Sequence, residues 1–278
     1  MSKTTLMICS PEKDYRYLRY CLRSVAKFAT GFHELRLQIP SHDHVAFEEF
    51  CRVEQKEHER LKLPPMRFPM QVDFYDEWPN MGMVHHELRV CEADLHCPWA
   101  DIIAHMDPDC VFTEPVTPDS WMTDGKPNLI FEPFDSINRR HPGVGAWRAA
   151  AEDALGFPCL YETMRCLPLL YCVATYRATR RRIEERHRKS FEEFMKGQRN
   201  AFPQSFCEYV TLGNVALKDH AELYQCGDQS QSRNPDFVNN HLFQAWSHAP
   251  PEESKELWWK GMPMVIRPLD IYAGLGLV

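Results

Sequence analysis

Ile102-Ile103-Ala104-His105-Met106-Asp107-Pro108-Asp109 is an apolar stretch that empties into two carboxylates one residue apart. Five apolar or weakly polar residues followed by a Pro-containing turn describe a buried strand and its end. Alternate residues of an extended chain face opposite ways, but a turn at Pro108 lets Asp107 and Asp109 converge on one hard divalent cation, which takes oxygen ligands and can share them with a diphosphate. The same three residues also fit a plain strand-ending turn, since Asp suits position i and Pro position i+1 of a type I turn. Both readings stand at this point.

Working outward, Thr4 to Cys9 reads as a short buried strand, and Tyr17, Leu18, Cys21, Leu22, Val25 and Phe28 fall at helical spacing over Tyr15 to Phe28. Leu35 to Ile39 alternates apolar and polar before Pro40, a Glu- and Lys-rich helix runs to about Leu61, and Met70 to Phe74 alternates again. Met83, Val84, Leu88, Cys91 and Leu95 stripe one helix over Gly82 to His96, which leads into the Ile102 strand. This βαβα rhythm predicts an α/β fold with a mostly parallel, doubly wound, Rossmann-like sheet and helices on both faces. Ligands of such sheets bind outside the carboxyl ends of the strands, where Asp107 and Asp109 fall.

Further along, Asn128 to Phe131 reads as a strand, Ala146 to Leu155 as a helix, Leu169 to Val173 as a strand, and a charged helix starts near Thr175. A shorter helix opens at Ser205. No internal repeat or linker interrupts the 278 residues, so residues 1–278 read as one domain. Within it, the end of the first half falls at about residue 127, after the D-x-D, and about 128–278 form the second.

Composition limits the partners. A formal net charge of −7, with 44% hydrophobic and 26% charged residues, offers no global attraction to nucleic acid or anionic membranes. Eleven cysteines, an odd number without a C-x-x-C pair, favour reduced thiols and a cytoplasmic location. Nowhere do eighteen apolar residues follow one another, so no membrane span is expected.

The order of elements, with an N-terminal strand ending at Cys9-Ser10 and a D-x-D after the fourth strand, resembles the GT-A glycosyltransferases, in particular small bacterial and phage-type members. Five places carry the resemblance: Ile8-Cys9-Ser10 with Asp14; His105 to Phe112; Leu169 to Val173 before a helix; Phe206-Cys207-Glu208-Tyr209 with Gly213-Asn214; and Trp246-Ser247-His248. His85-His86-Glu87 departs from the family, which often has a glutamine pair and a nearby Lys on this helix. The resemblance implies a hexosyltransferase-like enzyme that moves a sugar from a nucleotide-diphosphate sugar, uridine-linked, to a hydroxyl acceptor. It implies Mn2+ or Mg2+ on Asp107, Asp109 and His248. Cys9, Ser10, Asp14, Asp107 and His86 would meet the nucleotide sugar, and Glu132, Asp135, Tyr209 and Trp246 the acceptor, a glycan or a hydroxylated DNA base. Asp109 and Glu208 would be catalytic.

Each residue also has a plainer reading. Ser205-Phe206-Cys207-Glu208 fits a capping box, with Glu208 at N3 reaching back to the cap amide. Equally, Glu208 could be the base that accepts the acceptor's proton. His248 could be a ligand or an ordinary surface histidine. Arg177 to Lys189 carries six Arg and one Lys against two Glu, which suits either the solvated face of a helix or a local patch for DNA phosphates. Gly143-Val144-Gly145 lacks the further glycine of a dinucleotide fold and the Lys of a P-loop. Two other function classes stay open: a nucleotidyltransferase, and a non-catalytic nucleotide-sugar-binding protein of the same fold.

Overall fold

The computed structural model describes residues 2–138, 144–165, 167–200, 206–231, 241–245, 250–259 and 262–278. Its first part runs β1 (Thr4–Cys9), α1 (Tyr15–Phe28), β2 (Glu34–Pro40), α2 (His44–Arg60), β3 (Met70–Tyr75), α3 (Gly82–Cys91), α4 (Ala93–His96), β4 (Ile102–His105) and β5 (Cys110–Phe112). Then follow β6 (Met122–Thr123), β7 (Lys126–Pro133), α5 (Phe134–Ile137), α6 (Ala146–Leu155), β8 (Tyr161–Glu162), β9 (Leu169–Cys172), α7 (Val173–His187), α8 (Phe191–Lys196) and α9 (Glu208–Asp219). The chain ends with β10 (Gln225–Asp228), β11 (Leu242–Gln244), β12 (Lys255–Trp259), β13 (Met262–Ile266) and α10 (Pro268–Gly274).

The fold is α/β, with a mixed sheet of order β3-β2-β1-β4-β9. β2 and β3 run parallel with Leu35 opposite Met70, whereas β9 returns antiparallel to β4 with Leu169 opposite His105. Contacts group the chain into two compact units, one of Met1–Thr5, Glu77–His105 and Trp121–Phe237, the other of Leu6–Asp76, Met106–Ser120 and Val238–Val278.

In the second unit the apolar spacing of α1 produces what it predicts: Tyr17, Leu18, Cys21 and Val25 are fully buried. Arg23 shares that buried face because its guanidinium is neutralised by Glu54 at 2.8 Å and donates to the carbonyl of Leu277 at 2.6 Å. The C-terminal helix α10 seals the unit, with Tyr272 stacked on Tyr20 at a ring separation of 4.3 Å and packed edge-on against Phe243. Met106 donates its amide to the carbonyl of Met7, so the segment leaving β4 stays in register with β1.

In the first unit, the helix expected over Gly82 to His96 is two helices, broken at Glu92. Arg180 on α7 donates to the carbonyl of Cys91 at 2.6 Å, and the Leu95 amide, which would have bonded that carbonyl, turns to Glu92 instead. Asp94, just past the break, is buried and chelates the same guanidinium at 2.5 and 3.0 Å. A distant cation thus ends the helix where no Gly or Pro marks it. Cys207 is the N-cap of α9 and makes no side-chain cap bond, and Glu208 is its first residue instead of N3; Ser205, the other half of the expected capping box, lies outside the described residues. Phe206 and Cys207 are buried and Cys207 is extended, which holds this segment out of the helix. The reciprocal capping box is at Ser190 and Glu193, at the start of α8.

No helix among the described residues is long and apolar enough to cross a membrane. The ten described cysteines are free thiols, seven of them buried.

Candidate active site

Asp107, Pro108 and Asp109 form the turn that joins β4 to β5. The Cys110 amide donates to the Asp107 carbonyl at 3.1 Å, closing it, so the turn and the carboxylate pair coexist. Asp107 is half-buried and its Oδ2 lies 3.4 Å from the Gln244 Nε2. Asp109 is only 5% exposed, which marks it as a carboxylate held inside the protein. β11 pairs antiparallel with β5, and the Ala245 amide donates to the Asp109 carbonyl at 2.9 Å, clamping the turn from its other side.

The carboxylates set the local field. Burial pushes the Tyr17 hydroxyl up to about 12, with the Asp109 charge adding to the rise. Lys255 on β12 donates to Tyr17 at 3.2 Å; burial lowers its ammonium pKa while Asp109 works the other way. Burial, then Asp109 and Asp107, raise the Cys110 thiol, keeping it protonated. Two hard oxygen donors suit Mg2+ or Mn2+, which commonly binds through one or two carboxylates and fills its shell with water and phosphate oxygens. Among the described residues no group of three or more His, Cys, Asp and Glu gathers to hold a metal. His248 and Trp246 lie outside the described residues, as do Ser205 and Gly143.

The N-terminal loop divides the three residues expected there. Ser10 is fully buried and its amide bonds the Gln38 carbonyl, while Cys9 is 5% exposed with its Sγ 3.9 Å from the Gln38 Oε1. These two hold the loop to β2. Asp14 is half-buried at the start of α1, and desolvation raises its carboxyl against the lowering pull of Lys13 and Arg16.

The other unit holds the acceptor-side candidates Glu132, Asp135 and Tyr209, on β7, α5 and α9, with Glu208 on α9 and the nucleotide-sugar candidate His86 on α3. Glu208 begins α9, where the helix dipole favours an anion, yet its carboxyl is buried and pushed up to about 7 by desolvation. Its Oε1 lies 3.9 Å from the Nε2 of His86 on α3, whose side chain is about a third exposed. Tyr209 is buried, its ring 5.7 Å from that of His105; the His105 imidazole is pushed down to about 3 by burial and bonds the Tyr176 hydroxyl at 2.7 Å. Glu132 is also buried, accepts from Ser136 at 2.7 Å and lies 3.8 Å from Arg165, which pairs more closely with Glu162. Asp135 stands in solvent, 3.9 Å from Arg148.

The E-Y…G-N stretch has structural duties. Thr163 and Tyr171 both donate to the Tyr209 carbonyl, and Asn214 donates to the carbonyls of Tyr161 and Val210 at 2.8 Å. A Cβ on Gly213 would stand 2.1 Å from the Thr163 Oγ1, so only glycine lets the β8 segment lie this close to α9. In the Arg177 to Lys189 stretch, Arg177 and Arg180 meet Asp94, Arg181 meets Glu185, Arg182 meets Asp219 and Arg186 meets Asp153. Arg177 and Arg181 are exposed, whereas the Arg180 side chain is only 12% exposed.

Lys255, Tyr17 and Gln244 near the D-x-D, and Glu162 with Arg165 beside Glu132, carried no sequence signal. Each is an ordinary polar residue in an unremarkable context, and pairing between distant segments is what places it. No family model and no curated protein matches the chain.

Proposed function

We propose that the chain is a divalent-metal-dependent glycosyltransferase of the GT-A type, transferring a sugar from a uridine-linked nucleotide-diphosphate sugar to a hydroxyl acceptor. The observation that carries the reading is the closed Asp107–Cys110 turn, which presents a half-buried and a buried carboxylate directly after a core strand. Asp107 and Asp109 would hold the ion, which when bound supplies positive charge opposite the β-phosphate of the leaving diphosphate. His248 is the third ligand in this reading. Asp14, half-buried at the start of α1, is the N-terminal-loop residue that would meet the nucleoside.

Glu208 serves as the base. A buried carboxyl poised near neutrality can take a proton from a sugar or base hydroxyl, and its helix-start position favours the anion it must be beforehand. Electrostatic stabilisation of the departing diphosphate is the larger contribution to rate.

The test is thermal-shift screening of the wild-type chain against UDP-sugars with and without Mn2+, followed by donor-hydrolysis assays. Mn2+-dependent binding and donor cleavage, both lost in Asp107→Ala and Asp109→Ala, are expected. Absence of Mn2+-dependent binding overturns the reading; binding without cleavage or transfer indicates a nucleotide-sugar-binding protein, and release of pyrophosphate from a nucleoside triphosphate indicates nucleotidyl transfer.

A further inference from the structure

We infer that β3 is the interface of a two-fold dimer, in which two copies of this chain join their sheets antiparallel along β3 with Val72 of one copy opposite Val72 of the other. All of β3 belongs to the second unit, and the inference does not depend on the glycosyl-transfer reading.

The edge is exposed and apolar. β3 ends the order β3-β2-β1-β4-β9, and among the described residues no strand pairs with its outer side. The Leu35 amide bonds the Pro69 carbonyl and Leu35 stands opposite Met70, so residues 71, 73 and 75 turn their peptide groups toward β2. Met70, Val72 and Phe74 turn theirs outward. Their side chains share the face on which α2 lies, because the Phe74 ring stands 4.4 Å from His44 and 6.0 Å from Phe47. Even with that packing, Met70 and Phe74 are each 40% exposed. Sheet edges are commonly guarded by Lys, Pro or a bulge; Met70–Tyr75 contains neither residue and pairs with β2 without interruption.

The strand's own sequence names the occupant, because it is complementary to itself. A two-fold axis normal to the sheet keeps each face on its own side, so one residue lies opposite itself. At Asp73 that axis would oppose two carboxylates, and at Gln71 it would run Phe74 past the start of the partner strand. At Val72 it sets Met70 against Phe74 and Gln71 against Asp73, while the outward peptide groups of Met70, Val72 and Phe74 exchange the ladder bonds. Gln71 is exposed, and the Asp73 side chain, held from within by Arg36 at 3.0 Å, keeps 27% of its surface open to the Gln71 amide. Charge beyond the strand ends agrees. Exposed Arg67, before β3, comes alongside exposed Asp76, after it, at both ends of the pair. Within one chain the strand separates these two by roughly 20 Å, so only a second copy brings them together. Two six-residue strands make a small interface, which sets a reversible dimer.

Sedimentation velocity of the full chain, over a concentration series reaching about 1 mM, is the test. Wild type is expected to pass from monomer to dimer. Val72→Lys, which opposes two ammonium groups on the axis, should stay monomeric with the thermal midpoint of dilute wild type. Arg67→Glu and Asp76→Arg should each weaken association about tenfold, and the two together should restore it. A monomer at every concentration overturns the proposal, as does a dimer that persists in Val72→Lys. Failure of the double variant to recover association overturns the pairing centred on Val72. Should Val72→Lys fail to fold, the charge exchange at two exposed positions decides the same question.

Discussion

The Ala245 amide donates to the Asp109 carbonyl at 2.9 Å, so the residue that follows β11 is tied to the second aspartate of the D-x-D. The preceding residue, Gln244, reaches Asp107 from the same strand. The β11 segment therefore holds the backbone of Asp109 and reaches the carboxylate of Asp107.

Gln244→Ala is expected to weaken Mn2+-dependent nucleotide-sugar binding about 10–100-fold while leaving thermal stability nearly unchanged, because groups that orient ligands contribute to metal affinity on that scale. Titrating Mn2+ against the thermal shift with UDP checks it. Unchanged affinity would show that Asp107 needs no such support.

Arg180→Ala should be destabilising, by about 3 kcal/mol, since it leaves the buried Asp94 carboxylate with only the longer contact to the exposed Arg177. It also frees the Cys91 carbonyl. Urea denaturation measures the loss, and Arg180→Ala with Asp94→Ala should cost less than the sum of the two single changes.

Gly213→Ala should cost roughly 2 kcal/mol or more, because the new methyl meets both the hydroxyl and the Cβ of Thr163. Comparing midpoints of chemical denaturation decides it. A neutral result would mean that β8 and α9 separate without penalty.

Glu208 makes stability depend on pH in the direction opposite to most carboxylates. Its folded pKa, about 7, lies above the value of an unfolded glutamate, so the folded state binds more protons between about pH 4.5 and 7 and stability falls as pH rises through that window. Glu208→Gln should therefore gain roughly 2 kcal/mol relative to wild type between pH 5 and pH 8. Denaturation at the two pH values provides the comparison, and a pH-independent difference would mean that the carboxyl is not desolvated.

Much of the framework is legible in local pattern. Helices α1 and α6 have the bounds that their apolar spacing predicts, as does β1, because each buries a continuous stripe or run regardless of its partners. The turn at Asp107 is legible for the same reason: Asp and Pro dictate it locally. The break at Glu92 was not, because its cause is a guanidinium 88 residues further along, and neither was the start of α9, where Cys207 is the N-cap and Glu208 the first helical residue. Among the candidate residues, Cys9 and Ser10 are packed against β2, and Tyr209, Gly213 and Asn214 hold β8 to α9, contacts that no local pattern announces.

By itself the sequence determined the alternation of strands and helices and the position of two carboxylates at a strand's end, since period and turn chemistry act within a few residues. Tertiary structure alone decided that Asp109 is buried, that Glu208 lies beside His86 and that the arginines of α7 are spent on neighbouring acids. Desolvation and ion pairing depend on which distant segments come together, and no local pattern encodes that.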